Sequence, residues 1–433
     1  MNPFLLGCLV LTWMLPLVAS LIVPFFWQSK FKRNVGFLSW GLSVVGLLAC
    51  LPLVSAFGLG AVPFIQAQSW PWIELPGGTV IEVGSLIDRT GSQLLVLLAL
   101  QGSLIQLFSL KYMKSEANPI KYYAALNLFV FSMNSLILSN GLLQTFAAWE
   151  LIGLSSWLLI SYWSGTAAAA SGSLRAMLFN RLADVALLAG LLLLAIESGT
   201  STWKGLLADP EFKLSVFPAL LIVLGAAGKS AQGPFACWLP GAMAGPTPVS
   251  ALLHAATLVV AGVFLLVRAM PVLPEPALLL TALLGCSTLI GGGLYALQSR
   301  DIKQILAGST LSQLGLMFVA LGTGEAQWAF LHLLTHGFYK FGLFLVVAVV
   351  SKPLHHEPNP YAVELYGGWA RRRPALFAVY LACAMGLVGF PLTAGFVSKE
   401  LVLESILQQT GTAWGIMQVL TLSSVALTAA YIS

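Results

Sequence analysis

The sequence predicts an all-α polytopic membrane protein of about thirteen transmembrane helices, with two inverted five-helix repeats that contain broken helices. Three observations predict it. Of 433 residues, 58% are hydrophobic and only 9% charged, against roughly 25% charged in soluble domains. Thirteen apolar segments reach the ~20 residues that cross a bilayer, and only helices can cross as separate segments. Finally, the charges that do fall inside these segments are isolated, and each is costly there, at about 2.5–3.5 kcal/mol on insertion scales.

The segments are 4–27, 35–57, 91–110, 122–140, 142–161, 174–195, 215–234, 247–270, 275–297, 302–322, 326–350, 374–402 and 411–432. The first is too long for the apolar part of a cleaved leader, and its basic cluster Lys30, Lys32 and Arg33 follows it instead of preceding it, so it reads as a span. Loop lysines and arginines set orientation. With the N-terminus outside, eleven fall in cytoplasmic loops and four in outer loops (Arg89, Lys204, Lys213, Arg268), which puts the C-terminus in the cytoplasm. The outer loop 62–88 alternates apolar and polar residues around "PGG", the pattern of a β-hairpin. No linker divides the chain; it reads as residues 1–120, a three-helix segment with the hairpin loop, then 121–270 and 271–433, one five-helix repeat each. The five cysteines are scattered singly in apolar runs and form no metal or disulfide pattern; they read as small packing residues.

The isolated charges are the candidate site. Glu150 is the only charge between Lys121 and Arg175, and Lys229 the only one between Lys213 and Arg268. His254 sits well inside the following segment, and Lys399 comes after 25 uncharged residues. Segment 326–350 carries His332, His336 and Lys340, whose steps of four put them on one stripe of one helix face. Such a stripe passes protons, because histidine titrates near neutral pH and a desolvated lysine is shifted toward it; the bland alternative is that the histidines bond neighbouring helices.

Pro234 and Pro391 lie close to Lys229 and Lys399, and proline in a helix removes a donor and kinks it. Two broken helices with a lysine each, about 170 residues apart in sequence, suggest two five-helix halves, the second upside down relative to the first. Glu150 is an available counter-ion for Arg175 or Lys229, and Arg181 with Asp184 reads as a local salt bridge three residues apart. Asp301 and Lys303 stand at a helix end, as solvated charges or as a proton entrance. "GKS" at 228–230 is not a phosphate loop: Val223 stands where the motif needs glycine, and a membrane helix precedes it.

The stretches "WELIGLSSWLLISYW" (149–163), "RLAD" (181–184), "GKSAQGPFACWLPGAMAGPTPVSALLHAAT" (228–257), "DIKQILAGSTLSQLGLMFVALG" (301–322), "HLLTHGFYKFGLFL" (332–345) and "FPLTAGFVSKE" (390–400) closely resemble the antiporter-like subunits of respiratory complex I. The resemblance covers roughly residues 80–432, and "AMAGPTPVSALLHAAT" points to the L-type branch, which has relatives in Mrp sodium/proton antiporters. It implies a fourteen-helix core, two inverted repeats and a central hydrophilic axis. Glu150 then matches the glutamate of the fifth helix, Lys229 the lysine of the broken seventh, and His254 the bridging histidine of the eighth. His332, His336 and Lys340 match the relay of the eleventh, and Lys399 the exit lysine of the broken twelfth. Arg175 departs from the pattern, where the family usually has lysine; arginine stays charged, so it tunes its neighbours and carries no proton. Such subunits continue beyond the point matching Ser433 with another helix, a long lateral helix and an anchor.

The expected function is proton translocation driven by a partner, the NADH–quinone oxidoreductase complex. Sodium/proton exchange or inorganic-carbon uptake is the alternative. No flavin, quinone or iron–sulfur ligand pattern appears, so no cofactor or metal of its own is expected and the energy source is another subunit. The expected partners are other membrane subunits, protons or sodium ions, and lipid, with no nucleic acid; the expected place is the bacterial plasma membrane or a thylakoid membrane. A purely structural scaffold would have no use for an intact set of buried charges, and a membrane enzyme with its own active site lacks a nucleophile or metal constellation.

Overall fold

A computed structural model describes residues 3–28, 34–58, 66–74, 80–255, 257–354, 357 and 359–432. The basic cluster Lys30, Lys32, Arg33 and the "PGG" turn lie outside the described residues. Helices dominate. α1 (Pro3–Ile22) and α2 (Val35–Leu53) lead to strands β1 (Gln66–Glu74) and β2 (Val80–Ile87). Then come α3 (Arg89–Tyr112), α4 (Pro119–Leu138), α5 (Leu142–Ile160), α6 (Ala167–Ser198) and the short α7 (Trp203–Leu207). The middle holds α8 (Val216–Lys229), the single turn α9 (Trp238–Gly241), α10 (Thr247–Ala255) and α11 (Ala261–Ala269). The last part is α12 (Glu275–Gln298), α13 (Ile302–Gly322), α14 (Ala326–Ser351), the turn α15 (Trp369–Arg372), α16 (Pro374–Val388), α17 (Ala394–Leu407) and α18 (Thr412–Ile432).

Among the described residues, eleven helical stretches are long and apolar enough to span a membrane. α4 adds 20 residues, and segment 374–402 resolves into the pair α16 and α17, of 15 and 14 residues. The helices pack through small and polar residues, as expected where lipid provides no hydrophobic drive. Any side chain at Gly225 or Gly228 of α8 would collide with Leu187 or Ala183 of α6, so these two backbones run in close contact. In the N-terminal helices Ser39 donates to Gln106 Oε1 (2.7 Å), Gln106 to Asn127 Oδ1 (3.0 Å), and Asn127 back to Ser39 (2.6 Å), a closed polar ring among α2, α3 and α4.

The hairpin expected in loop 62–88 is present, with β1 and β2 antiparallel from Gln66↔Ile87 to Glu74↔Val80. It is stitched to the connections between helices. Ser85 bridges Ser139, and Gly141 bridges Thr202. Asn140 N–H donates to Gly84 O (3.3 Å) and Trp203 N–H to Asn140 O (2.8 Å). Arg268 is not the solvated loop charge the sequence suggested. It is buried at the end of α11, 3.5 Å from Asp88, and donates to the carbonyls of Ile137 (2.9 Å) and Ser139 (3.3 Å), where α4 ends. A cation among the free carbonyls at a helix C-terminus offsets their partial charge.

Three membrane helices are interrupted. α8 stops at Lys229; Ala231 and Gly233 turn to φ +52° and +55°, ahead of Pro234. Side chains meet the freed backbone: Trp238 Nε1 donates to Gly228 O (3.0 Å) and Gln232 Nε2 to Ser230 O (2.7 Å). α16 stops at Gly389, φ +84°, and α17 restarts with Thr393 accepting from Phe396 N–H (3.2 Å). The third interruption was not expected. In the segment read as one span, 247–270, α10 is described to Ala255, Thr257 departs from helical geometry and donates its hydroxyl to Leu252 O (2.6 Å), and helix resumes from Leu258.

Candidate functional site

The close contact of α6 with α8 sets the first part of the site. Gly228 lies against Ala183, so the next residues, Lys229 and Asp184, meet: Lys229 Nζ is 3.3 Å from both carboxylate oxygens of Asp184. Both are buried, Lys229 completely. Trp149 Nε1 donates to the same carboxylate (2.6 Å), and its ring stands 5.3 Å from the lysine nitrogen. Asp184 is thus the counter-ion of Lys229. This corrects two readings. Asp184 does not pair locally with Arg181, and Glu150 holds neither Lys229 nor Arg175. Glu150 pairs instead with Arg181, a contact on the open side of α5 and α6 where Arg181 is partly exposed. The reason is burial: the enclosed lysine requires the enclosed carboxylate, which leaves the more exposed Arg181 to the glutamate. Arg181 also acts electrostatically on Lys229, so the two pairs are coupled.

The second part lies on α10, α13, α14 and α17. His254 ends α10, fully buried, its ring stacked 5.3 Å from Phe344. His332, His336 and Lys340 form the expected stripe on α14, all buried. His332 Nδ1 shares a hydrogen bond with Ser398 Oγ (3.0 Å) and Nε2 one with Gln313 Oε1 (3.2 Å). The rings of His332 and His336 are 6.4 Å apart. Lys340 donates to Leu306 O (2.9 Å) and to the Ser309 hydroxyl. Lys340 is an electrostatic neighbour of His254 and of His336, and Lys399 of His332, His336 and Lys340. Lys399 is 5% exposed and donates to Leu387 O (2.6 Å) and Val388 O (3.2 Å), the last carbonyls of α16. A broken helix therefore supplies an end that holds a lysine cation, as helix C-termini do.

None of Lys229, His254 and Lys399 faces hydrocarbon. Both ring nitrogens of His254 and of His336, and the hydroxyls of Ser230, Ser250 and Ser312, are buried and make no hydrogen bond within the protein. Buried polar atoms are almost always paired, so these are the atoms that a water would satisfy.

Arg175 lies apart from this row, and Lys303 lies beside it, an electrostatic neighbour of His254. Arg175 is exposed on α6 and lines an open pocket of about 380 Å³ with Asp301, Lys303, Gln304 and Tyr361. Asp301 caps α13 by accepting from Lys303 N–H (2.8 Å) and Gln304 N–H (3.1 Å); burial raises its carboxyl above the ordinary range. Lys303 is not a solvated helix end. Its ammonium is buried at the pocket floor, donating to Met243 O (2.6 Å) and Gly245 O (3.0 Å), with the Tyr361 ring 4.8 Å away.

Sequence reasoning missed Asp184, Gln313 and Ser398 as members of the site. For Asp184 the signal was present, an aspartate buried in an apolar segment, but the arginine three residues away absorbed it. Gln313 and Ser398 carry no charge, and nothing in the sequence separates them from other polar helix residues.

Residues 139–428 match the family described as the transmembrane region of NADH:quinone oxidoreductase and Mrp antiporter proteins. NADH-quinone oxidoreductase subunit L of Mycobacterium tuberculosis is 37% identical over 91% of this chain and 64% of its own length. NADH-ubiquinone oxidoreductase chain 5 of Petromyzon marinus is 40% identical over 75% of this chain and 54% of its own. The chain thus spans a little over half to two thirds of the length of these curated relatives. Among solved structures, the Mrp complex from Dietzia sp. DQ12-45-1b superposes with a TM-score of 0.83 at 28% identity, over 99% of this chain and 46% of that one. With its family match, its buried lysines at broken helices and its interior histidine stripe, the chain belongs to the antiporter-like membrane subunits of the NADH:quinone oxidoreductase/Mrp family.

Proposed function

We propose that this chain moves protons across the membrane along the buried row, as one subunit of a larger assembly that supplies the energy. The observation that carries the reading is the row itself: Asp184–Lys229, His254, His336–Lys340, His332 and Lys399, each titratable, each enclosed, with partnerless polar atoms between them. Moving one charge against 100 mV takes about 2.3 kcal/mol, and the sequence holds no redox chemistry to supply it. Glu150–Arg181 is the switch. With the ion pair closed, Arg181 is held away from Lys229, and Asp184 keeps the lysine protonated. When the pair opens, the freed guanidinium repels the ammonium and drives its proton inward along the row. The matched breaks beside Lys229 and Lys399 favour two inverted five-helix halves. Sodium/proton exchange is the second reading, favoured by the Mrp complex match along nearly the whole chain.

The test is proton flux in vesicles containing the purified native assembly. Lys340→Met should lower coupled flux by about a hundredfold or more, the scale of losing a positioned proton carrier, with assembly unchanged; normal flux would remove Lys340 from the path. Replacing potassium by sodium in the same vesicles separates the two readings, and the co-purifying subunits identify the energy source.

Gly153 offers a further check. A Cβ there would stand 3.1 Å from Lys229 Nζ. Gly153→Ala should therefore displace the ammonium from Asp184 and slow flux severalfold, while Gly165→Ala, which meets open space, should not. Equal rates for the two variants would show that the Lys229–Asp184 geometry does not limit transfer.

A further inference from the structure

At its α10 end the row begins at His254, nine residues along the chain from Gly245 in the wall of the open pocket beside Arg175, and Tyr361 links that pocket to the start of α10. Tyr361 sits on a strap, residues 359–366, which is tied to the start of α13. Ile302 N–H donates to Tyr361 O (2.9 Å), Val363 N–H to Arg300 O (3.0 Å), and Asp301 bridges Ala362. Tyr366 OH closes the strap on Pro360 O (2.6 Å). The pocket of about 380 Å³ has room for roughly ten waters, and Tyr361 forms part of its wall. The Tyr361 hydroxyl shares a 3.0 Å hydrogen bond with Thr247 Oγ1, at the first residue of α10, and is also within reach of Ser351 and Tyr112.

From Thr247 the face of α10 continues inward. Thr247, Ser250 and His254 stand at i, i+3 and i+7, one stripe of a helix. The steps along the axis are about 4.5 and 6 Å, each the span of one bridging water. Ser250 Oγ and both His254 nitrogens are buried and partnerless within the protein, the sites such waters would occupy. Lys303 is the obvious rival for this role, but its ammonium is already committed to two carbonyls and the Tyr361 ring.

We propose that Tyr361 is the proton-relaying residue at the mouth of the path, passing protons from the pocket water to Thr247 and along Ser250 to His254, with Lys303 holding the ring in place. The inference rests on the proton-translocating reading above. The transfer is a hop: a hydronium in the pocket gives a proton to the phenol oxygen and becomes water, the phenol's own proton passes to Thr247, and the Thr247 hydroxyl proton passes through Ser250 to a ring nitrogen of His254, so that each hydroxyl ends as it began and the imidazole holds the added proton.

The experiment measures proton flux of the intact assembly in vesicles. Tyr361→Phe keeps the ring over Lys303 and removes the hydroxyl; flux should fall about tenfold or more. Thr247→Val should do the same, Thr247→Ser should restore near-normal flux, and the Tyr361→Phe/Thr247→Val double variant should be no slower than either single one, because both cut the same link. Tyr366→Phe loosens the strap without touching the path and should keep normal flux. Wild-type flux in Tyr361→Phe, while Lys229→Ala is inactive, overturns this entrance and leaves the relay standing; wild-type flux in Lys229→Ala overturns the relay itself. Equal slowing by Tyr366→Phe and Tyr361→Phe also overturns the proposal, since strap integrity would then explain both.

Discussion

Lys229→Ala should abolish coupled proton translocation. Vesicles carrying the variant assembly are expected to show flux within background of protein-free vesicles, a loss of about a hundredfold or more. Lys229 is fully enclosed and its proton has one close acidic partner, Asp184, at 3.3 Å. Without it the row is cut between the α5–α6 side and His254. The variant also leaves the Asp184 carboxyl enclosed with the Trp149 N–H as its remaining donor, and breaking a buried pair costs about 3–5 kcal/mol when the other charge persists. Lys229→Ala/Asp184→Asn removes that penalty. It should recover yield and thermal stability but no flux, which separates loss of transfer from loss of fold. Lys229→Arg retains the charge and cannot release a proton, so it should assemble and stay silent. Flux in either replacement at the wild-type rate would dismiss Lys229 as a carrier.

Arg268→Ala should produce the largest loss of stability. One buried guanidinium joins the hairpin base at Asp88 to the end of α4 at Ile137 and Ser139, and stacks 4.7 Å over Phe264. Removal leaves the Ile137 and Ser139 carbonyls buried without their donor and takes the cation from Asp88, which still accepts from Gly91 N–H and the Thr90 hydroxyl, a cost of about 1–3 kcal/mol. The apparent melting temperature of the purified assembly should drop, and Asp88→Asn should drop it less, since the amide still accepts from the arginine. Flux per folded complex should hold, because Arg268 lies outside the row. An unchanged melting curve for Arg268→Ala would mean that the hairpin end is held by its backbone bonds alone.

The fold was legible to different depths in different places. Most helix positions follow from apolar run length, a property of single segments, and lie within a few residues of expectation, but α6 begins at Ala167, seven residues before the expected 174, and 374–402 is two helices, the second running to Leu407. The breaks near Pro234 and Pro391 were visible because proline and glycine mark them. The departure from helix at Thr257 was not: neither residue stands near it, and it is accompanied by the Thr257 hydroxyl turning back on Leu252 O. Isolation of charge located the row, since the cost of burying a charge holds whatever the tertiary structure. Pairing of charge was misread, because Asp184 meets Lys229 only through the approach of α6 to α8 at Gly225 and Gly228, a contact between elements some forty residues apart. Lys303 was misjudged for a related cause. Its place one residue inside α13 suggested solvent, yet the backbone following the α8 break folds over it.

The hairpin rim has one more consequence, for how freely this part of the sequence can change. On the hairpin's side the attachments are largely made by peptide groups, which every residue type except proline possesses in full: Ser85 bridges Ser139, Gly84 O accepts from Asn140 N–H, and the N–H groups of Glu82 and Gly84 donate to Ser201 and Gln144. Most of its outward side chains can therefore drift with little penalty. Gly84 and Gly141 cannot, for a methyl group on either would land on the carbonyl of Gln68 or Glu82. Among relatives of this chain, these two positions should stay invariant while their neighbours vary.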